Sequence, residues 1–368
     1  MLKVLLFIDS LTSGGAQRQM AGLAKLLQDK GYQVKVIYYH PIYFYKDYLD
    51  EYHVPNEYVA GSENKIKRIF LVARAIRKFH PEVVISYLDS PNMIACLLKT
   101  FGMKYRLIAG ERNTSQSLNR YESVKFLFLR KADIIVPNSC SQEQFIKRHF
   151  PHLCHKVYTI TNFVDLDGFR PPVMKKRENI IKIIGVGRIE AQKNIECLIR
   201  ATKLVMDQGY DIMVDWYGRR IQLENDCKKM VEELGLNNVF IFHEATRDIY
   251  ARYRDADLFC LPSFYEGYPN VVCEAMACGL PVICSNVCDN ATIMQDGVNG
   301  YLFDPHDAHN LAERIIDFVR LSDEEKERMG RKSRELAELK FSEDAFVEKY
   351  THIILPGYEQ TAVRSNHS

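Results

Sequence analysis

The stretch LPSFYEGYPNVVCEAMACGLPVIC, residues 261–284, sets two carboxylates, Glu266 and Glu274, around the start of one short helix. Apolar runs and turn-forming residues alternate here over lengths that separate strands from helices. They predict, in order, a strand, a loop, a helix and a second strand: Leu258–Leu261, Pro262–Gly267, Asn270–Cys278 and Pro281–Cys284. Glu266 therefore precedes the helix, and Glu274 lies inside it.

Glu274 is the only charged residue in a helix that is apolar nearly all round, which predicts a buried carboxylate. Burial of a carboxylate is costly unless it is paired or hydrogen-bonded. The hydroxyls of a ribose or hexose would satisfy it, and the free N–H groups at the helix start would receive a diphosphate. The alternative is an ordinary core helix in which Glu274 meets an internal arginine.

The whole stretch resembles the signature of the retaining nucleotide-sugar glycosyltransferases of family 4, which is Glu, seven residues, Glu within PS-x-x-EG-x-PN…EAMACG-x-PV. The matching residues are Pro262-Ser263, Glu266-Gly267, Pro269-Asn270, Glu274 to Gly279 and Pro281-Val282. The resemblance implies that Glu266 contacts the transferred sugar and that Glu274 holds the ribose. It also implies that Gly267, Tyr268, Pro269 and Asn270 line the donor site.

Apolar runs alternate with helical patterns along all 368 residues, which predicts an α/β protein with two Rossmann-like, doubly wound parallel sheets. We expect GT-B architecture, with ligands bound beyond the carboxyl ends of the strands in an interdomain cleft. The resemblance implies an acceptor-binding domain, a nucleotide-sugar-binding domain and a last helix with a tail that crosses back to the first domain: residues 1–162, 163–340 and 341–368. The junction is expected in residues 162–179, where Pro171-Pro172 and a polar stretch interrupt the alternation.

The predicted strands of the first half are Lys3–Ile8, Gln33–Tyr39, Val83–Tyr87, Tyr105–Ala109, Ile134–Pro137 and Lys156–Ile160. Those of the second half are Ile181–Val186, Ile212–Tyr217, Val239–Phe242, Leu258–Leu261 and Val282–Cys284. Asp296 to Phe303 resembles the family stretch DG-x-NG-x-L-F and is interpreted as a structural turn.

Two further segments resemble parts of the family that contact substrates, and the resemblance implies that the first of them meets the donor diphosphate or the acceptor. Gly14 and Gly15 open the first helix, where they let a backbone approach a ligand closely; the loop resembles the family's GGA-E, with Gln17 in place of Glu. It is not Gly-x-Gly-x-x-Gly, which argues against a dinucleotide site. Gly187, Arg188 and Lys193 resemble the family's G-R-x4-K-N stretch, whose cations bind the diphosphate. Such cations lower the barrier to departure of a nucleoside diphosphate.

The segment Gly110 to Thr114 departs from the family pattern, because many members carry a histidine there that faces the sugar. Glu111, Arg112 and Asn113 are candidates for acceptor or sugar contacts, together with Gln17. Glu244, where the family often has a glycine beside the base, is a second departure.

No metal or cofactor is expected. Asp165-Leu166-Asp167 and Asp255-Ala256-Asp257 both spell Asp-x-Asp, but one belongs to the linker and the other to a strand entry. Four of the ten cysteines, Cys273, Cys278, Cys284 and Cys288, crowd together without the spacing of a zinc knuckle. We interpret them as reduced core thiols of a cytoplasmic protein.

Charge is distributed unevenly, since residues 1–160 carry 23 lysines and arginines against 13 aspartates and glutamates, while the rest carries 26 against 34. An anionic partner, nucleic acid or membrane, is indicated for the first half. Of these two partners, the arrangement favours a membrane surface over nucleic acid. The helical patterns over residues 64–80 and 117–131 mix cations with apolar side chains, as helices that lie in a membrane interface do. The alternative for each is an amphipathic helix that covers a sheet. No run reaches the roughly 20 apolar residues that span a bilayer, so association would be peripheral, on the inner face of the membrane.

The sequence thus predicts a retaining glycosyltransferase that moves a sugar from a nucleotide-sugar to a hydroxyl of a lipid-linked glycan. Family resemblance implies a UDP-sugar, with UDP-N-acetylhexosamine as a weak preference and GDP-mannose as an alternative. Glu266, Arg188 and Lys193 are the predicted catalytic residues. A nucleotide-sugar epimerase of the same fold and a non-enzymatic sugar-nucleotide-binding protein remain as rival hypotheses.

Overall fold

A computed structural model describes residues 1–59, 64–173, 180–219, 223–246 and 248–355. The chain divides into two compact units: Met1–Asn162 with the segment from Glu343 onward, and Phe163–Ser342. Residues 174–179 of the predicted junction lie outside the described residues.

The first unit contains one six-stranded, all-parallel sheet in the order β3-β2-β1-β4-β5-β6. The strands are β1 Lys3–Phe7, β2 Gln33–Tyr38, β3 Asn56–Tyr58, β4 Val83–Tyr87, β5 Arg106–Glu111 and β6 Ile134–Pro137. The helices are α1 Gly15–Asp29, α2 Lys46–Glu51, α3 Lys65–Phe79, α4 Asp89–Thr100, α5 Arg120–Leu129, α6 Cys140–His149 and α14 Glu343–Ile354. The central strands are fully buried, as near-continuous apolar runs predict for a sheet covered on both faces.

The strand order fixes which helices share a face. The connections β3→β4, β4→β5 and β5→β6 all move in one direction along the sheet, so right-handed crossovers place α3, α4 and α5 on the same face. Contacts of α4 with both α3 and α5 agree with this arrangement. The helix α1 covers the opposite face, where it packs against α14.

The last helix, α14, is anchored in the first unit by buried polar groups. The Tyr350 hydroxyl hydrogen-bonds to the Tyr87 hydroxyl at 2.7 Å and accepts from Nη2 of Arg112. The Arg112 guanidinium lies 3.8 Å from the centre of the Tyr87 ring, and its Nη1 donates to Asn162. Gly110 permits this stack, because a Cβ there would meet the Tyr87 ring at 2.5 Å.

The second unit repeats the architecture with a sheet in the order β12-β11-β10-β7-β8-β9, again all parallel. The strands are β7 Ile181–Val186, β8 Ile212–Tyr217, β9 Phe240–His243, β10 Leu258–Leu261, β11 Val282–Ser285 and β12 Gly300–Phe303. The helices are α7 Ile195–Asp207, α8 Glu224–Glu233, α9 Ile249–Asp255, α10 Asn270–Ala277, α11 Asn290–Ile293, α12 Ala308–Arg320 and α13 Asp323–Lys340. One apolar core joins both faces of this sheet.

The predicted strand Lys156–Ile160 is wrong. Pro151–Lys156 forms a 3-10 helix, and only Val157 forms a bridge to β6. Tyr158 and Ile160 donate to the carbonyls of Ile135 and Pro137, but Pro137 has no N–H to return a bond, so the ladder stops.

Two short strands are additional to those predicted. Asn56–Tyr58 forms the edge strand β3, and the Asp296–Phe303 stretch, interpreted as a turn, ends in the edge strand β12. Only glycine fits at the start of β12, because Gly300 has φ +150° and a Cβ there would lie 1.7 Å from the Val282 carbonyl oxygen.

Among the described residues, no helix is both long and apolar enough to cross a bilayer.

Candidate functional site

The centre of the site in the second unit is an ion pair between Lys193 and Glu266. Lys193 ends a short 3-10 turn after β7, and Glu266 lies in the loop after β10, which is the neighbouring strand of the sheet. Their Nζ and Oε1 atoms are 2.5 Å apart, and the Ser263 hydroxyl donates to the same Oε1 at 2.6 Å. Both charged side chains are mostly buried but retain some exposure, 13% and 8%.

The second oxygen of Glu266, Oε2, accepts no hydrogen bond from the part of the chain that the structure describes. Lys193 and Ser263 therefore fix one oxygen and leave the other for a ligand. A carboxylate held in this way can accept a hydrogen bond from a sugar hydroxyl without first reorganising.

Gly187 makes room for the lysine. A Cβ at Gly187 would meet Cε, Cδ and Cγ of Lys193 at 3.1, 3.2 and 3.4 Å. Gly218, after β8, is equally constrained, since its Cβ would lie 1.8 Å from the Gly187 carbonyl oxygen, which also accepts from Nε1 of Trp216. Two loops thus approach each other closely, and Lys193 crosses the space left by the glycine.

The turn carrying Lys193 is bound to the loop carrying Glu266 through several bonds. Phe264 N–H donates to the Gln192 carbonyl, and Nε2 of Gln192 donates to the Tyr265 carbonyl. Asn194, in the left-handed conformation at φ 49°, donates to the carbonyls of Pro262 and Pro305. Asn194 stands in the G-R-x4-K-N stretch, but Gln192 and Ser263 were missed as supporting residues because their partners are distant in sequence.

Arg188 is placed differently from Lys193. Its side chain is 59% exposed, and Nη2 pairs with Glu190 at 2.9 Å. An exposed arginine that holds only a local partner can turn toward an incoming anion at little cost.

Glu274 is buried inside α10, as predicted, and the Tyr253 hydroxyl donates to its Oε2 at 3.2 Å. Tyr253 lies in α9 and was not predicted, because nothing in the local sequence links it to Glu274. The helix α10 begins after Pro269, whose side chain offers no cap, and its first turn contains no acidic residue. The N–H groups at the helix start carry partial positive charge and suit an anion.

The other predicted donor residues lie on the same short segment. Tyr268 is buried beside the Phe341 ring, while Gly267 and Asn270 are partly exposed at the approach to α10. Phe264 and Tyr265, which precede Glu266, are exposed, and the Phe264 ring stacks on His306 at 5.2 Å.

In the first unit, Gly14 and Gly15 stand at the start of α1, as predicted. The Gln17 side chain folds back over Gly14, whose Cβ would meet Oε1 of Gln17 at 2.2 Å. Nε2 of Gln17 donates to Asp9 at 3.1 Å. A glutamate at position 17 would meet Asp9 as a like charge, which gives a physical reason for the departure from the family pattern.

Glu111 is the last residue of β5, and it is sealed in the interior with Lys125 of α5. Nζ of Lys125 lies 2.8 Å from Glu111, 2.8 Å from Glu122 and 3.7 Å from Asp89. Burial raises the pKa of Glu111 above its usual range, although the Lys125 charge opposes this. The pKa of Lys125 is raised, because its three carboxylate neighbours outweigh its burial.

For the helical pattern over residues 117–131, the two interpretations are a membrane-facing helix and a helix that covers the sheet, and at Lys125, Phe126 and Leu129 the second is correct. All are buried, because α5 turns this side toward α4 and the sheet.

The roles predicted for Glu111, Arg112 and Asn113 remain predictions. Glu111 and Arg112 both have internal partners, whereas Asn113 is exposed just beyond β5. Glu244 is also exposed, beyond β9.

All ten cysteines are free. Burial raises the pKa of Cys278 to about 12, and burial likewise raises the pKa of Cys273 and Cys284. They are protonated core thiols at neutral pH. Within the described ranges, no group of three or more His, Cys, Asp or Glu residues is arranged to hold a metal ion.

Two protein-family models match this chain. The family model described as Glycosyltransferase Family 4 matches residues 13–167, and the one described as Glycosyl transferases group 1 matches residues 170–336. Together the two models cover both units.

Two curated relatives match most of the chain. One is the N-acetylgalactosamine-N,N'-diacetylbacillosaminyl-diphospho-undecaprenol 4-alpha-N-acetylgalactosaminyltransferase of Campylobacter jejuni, 28% identical over 303 residues, or 78% of this chain and 81% of that protein. The other is the putative colanic acid biosynthesis glycosyltransferase WcaL of Escherichia coli, 25% identical over 78% of this chain and 73% of that protein.

Among solved structures, Anabaena HepE in complex with UDP and glucose superposes with a TM-score of 0.83. The match covers 96% of this chain and 99% of HepE at 18% sequence identity. This likeness shows the fold.

Proposed function

Because the chain belongs to glycosyltransferase family 4 and has the GT-B fold, we propose that it transfers a sugar from a nucleotide-sugar to a glycan hydroxyl with retention of configuration. The observation that carries this proposal is the Lys193–Glu266 pair: a cation and a carboxylate held together through one carboxylate oxygen, on the loops that precede α7 and α10.

Charge accounts for the role of the cations. As the bond between the sugar C1 and the diphosphate breaks, negative charge grows on the departing phosphate oxygen. Lys193 and Arg188 would stabilise that charge, and the N–H groups at the start of α10 would receive the diphosphate. The new C1–O bond forms on the face from which the diphosphate leaves, and the acceptor hydroxyl proton passes to the departing phosphate oxygen.

Glu266 would orient the sugar through its free Oε2, and Glu274 would accept from the ribose hydroxyls within the donor site. Gly267, Tyr268, Pro269 and Asn270 form the short segment between these two carboxylates. Within the second unit, Gly187 would let backbone approach the diphosphate. The reaction as written uses no metal ion, so chelators should leave turnover unchanged.

The donor is proposed to be a UDP-sugar. HepE was solved with UDP and glucose, and the Campylobacter relative is named as an N-acetylgalactosaminyltransferase. A UDP-N-acetylhexosamine is the narrower proposal.

The acceptor is proposed to be a lipid-linked glycan in polysaccharide or glycan biosynthesis. The Campylobacter relative is named for a diphospho-undecaprenol acceptor, and the E. coli relative for colanic acid biosynthesis. We propose that the reaction takes place at the inner, cytoplasmic face of a membrane, where such an acceptor would be anchored.

The first test is a thermal-shift panel of UDP, GDP, ADP and their common sugars, repeated with Glu274→Gln and with Glu338→Gln, an exposed control on α13. UDP should raise the melting temperature of the wild type and of the control by mass action, and less so that of Glu274→Gln. Stabilisation by GDP alone would refute the donor assignment. An equal shift in Glu274→Gln would refute the ribose role.

The second test follows the sugar. Incubation with a UDP-sugar and a lipid-linked glycan should give a product whose new linkage keeps the donor's anomeric configuration, read by NMR. Conversion of the donor to its epimer without acceptor would instead identify an epimerase, and binding without any conversion would identify a non-enzymatic binding protein.

A further inference from the structure

The helix α3 exposes an unusual combination of side chains. Its 15 residues include six lysines and arginines and no aspartate or glutamate. Ile66 is 79% exposed and Phe70 is 67% exposed, and both lie on the outward face with Lys67, Arg74 and Lys78. The opposite face of α3, which includes Val72 and Ile76, is buried in the core, so the helix already covers the sheet without these two outward apolar residues.

The helix α5 shows the same combination two helices away. Leu118 just before it, and Tyr121, Val124 and Leu127 within it, are each about half exposed. The spacing of three residues puts Tyr121, Val124 and Leu127 on one side of the helix, and Leu118 precedes its N-cap. Arg120, Arg130 and Lys131 at its two ends are exposed as well.

Both stripes belong to one surface. The helix α4 lies between α3 and α5, and only Ser90 and Thr100 of its residues are exposed, so α3 and α5 contribute most of the outer surface of this helical layer. We define the α3/α5 face as the outward residues Ile66, Lys67, Phe70, Arg74, Arg77 and Lys78 of α3 with Leu118, Arg120, Tyr121, Val124, Leu127, Arg130 and Lys131 of α5.

The apolar members of this face concentrate at one edge. Helices that lead into parallel strands begin at the carboxyl edge of the sheet, so Ile66, Phe70, Leu118 and Tyr121 lie in the first turns of α3 and α5 at that edge. The Gly14-Gly15 loop lies at the same edge of this unit.

We propose that the α3/α5 face docks this protein on an anionic lipid surface. Apolar side chains would enter the acyl boundary, and the surrounding cations would meet anionic headgroups. Nucleic acid suits this face less well, since phosphates would attract the cations but leave Ile66, Phe70, Val124 and Leu127 in water. The inference deepens the proposed function, because it rests on the lipid-linked acceptor proposed there. Such an acceptor would be presented at the edge where α1 begins and where Gln17, a predicted acceptor contact, lies in its first turn.

The test is flotation of the full chain with vesicles of phosphatidylcholine alone and with vesicles that also contain phosphatidylglycerol, without donor or acceptor. Three variants are compared with the wild type: Ile66→Gln with Phe70→Gln, Arg74→Gln with Lys78→Gln, and the control Leu339→Gln. Leu339 is 78% exposed on α13 of the second unit, so it matches Ile66 in exposure. Circular dichroism is used to check that each variant is folded.

The wild type and Leu339→Gln should bind the anionic vesicles, and binding should weaken with added salt. The apolar pair should lose about tenfold or more in partition coefficient, and the cationic pair about fivefold for each charge removed. The proposal is overturned by equal binding to both vesicle types, by no binding, or by an equal loss in Leu339→Gln. It is also overturned if light scattering shows a dimer that the apolar pair dissolves, because a second copy would then cover this face.

The UDP-induced thermal shift, measured on the same preparations, separates the two proposals. If the protein binds vesicles but UDP does not change its melting temperature, the docking proposal stands and the glycosyl-transfer proposal is refuted. A nucleotide shift that persists in the apolar pair, with vesicle binding lost, supports both.

Discussion

Each unit places a lysine beside a glutamate near the carboxyl ends of its strands, but the two pairs differ in access and in charge balance. Lys193 and Glu266 form a one-to-one pair with partial exposure and one carboxylate oxygen left for a ligand. Lys125 faces three carboxylates, and its own side chain and that of Glu111 are 2% and 0% exposed. The first pair is arranged as a site, and the second as a support for the fold.

An ion pair alone does not identify a functional site. Its solvent access and the balance of charges around it must also suit a ligand. Gly187 leaves room for the Lys193 side chain, because a Cβ there would meet its Cε at 3.1 Å. Lys125 is enclosed, and removing it would leave buried carboxylates without a counter-charge. Substitutions should therefore affect stability in the first unit and turnover in the second.

The largest effect is expected for Lys125→Met. The substitution keeps the volume but removes the cation, so the free energy of unfolding should fall by about 3–5 kcal/mol. Urea denaturation measures the change, with the exposed Lys131→Met as a control that should stay within about 0.5 kcal/mol. A loss no greater than that of the control would mean that the cluster does not support the fold. Adding Glu111→Gln should restore part of the loss.

Lys193→Ala should lower kcat about 100-fold, because the cation acts on charge that develops as the diphosphate departs. The fold should be retained, since the lysine is not fully buried. Steady-state kinetics measures this, with Lys203→Ala, an exposed lysine on α7, as the matched control. Turnover within about twofold of the wild type would contradict the electrostatic role.

Gly187→Ala should lower kcat by about tenfold, because the new methyl group displaces the Lys193 side chain by a fraction of an ångström. A double-mutant cycle tests the cause. In the Lys193→Ala background the methyl group has no lysine to displace, so the second substitution should add little. Additive losses would show that Gly187 acts through the backbone rather than through Lys193.

The smallest effect concerns the pH dependence of stability. The folded-state pKa of Glu111 is raised above its ordinary value of 4.5, so its stabilising contribution is largest below the unfolded-state pKa and is lost as pH rises through the folded-state pKa. Between these two pKa values, the free energy of unfolding of the wild type should fall as pH rises, and the Glu111→Gln variant should show a smaller fall. Denaturation at a series of pH values measures it. Parallel curves for the two proteins would show that folding does not raise the pKa of Glu111.

Local sequence was sufficient where short-range pattern decides the outcome. Apolar runs predicted most of the strands, and the second carboxylate of the signature is buried inside α10 as predicted. It was insufficient at Lys156–Ile160, where one proline in the neighbouring strand ended the ladder, and at the short edge strands β3 and β12. Edge strands of three or four residues carry too little periodic signal to separate them from turns.

The sequence by itself determined the α/β class, the two repeated sheets and the family, because these follow from periodicity and from motifs whose residues are close along the chain. Only the tertiary structure decided that Lys193 meets Glu266, that Tyr253 reaches Glu274, and that Lys125 is sealed inside while Ile66 and Phe70 face outward. The physical reason is that burial and pairing depend on which distant segments pack together. A charged side chain has the same local sequence whether it faces solvent, a ligand or the core.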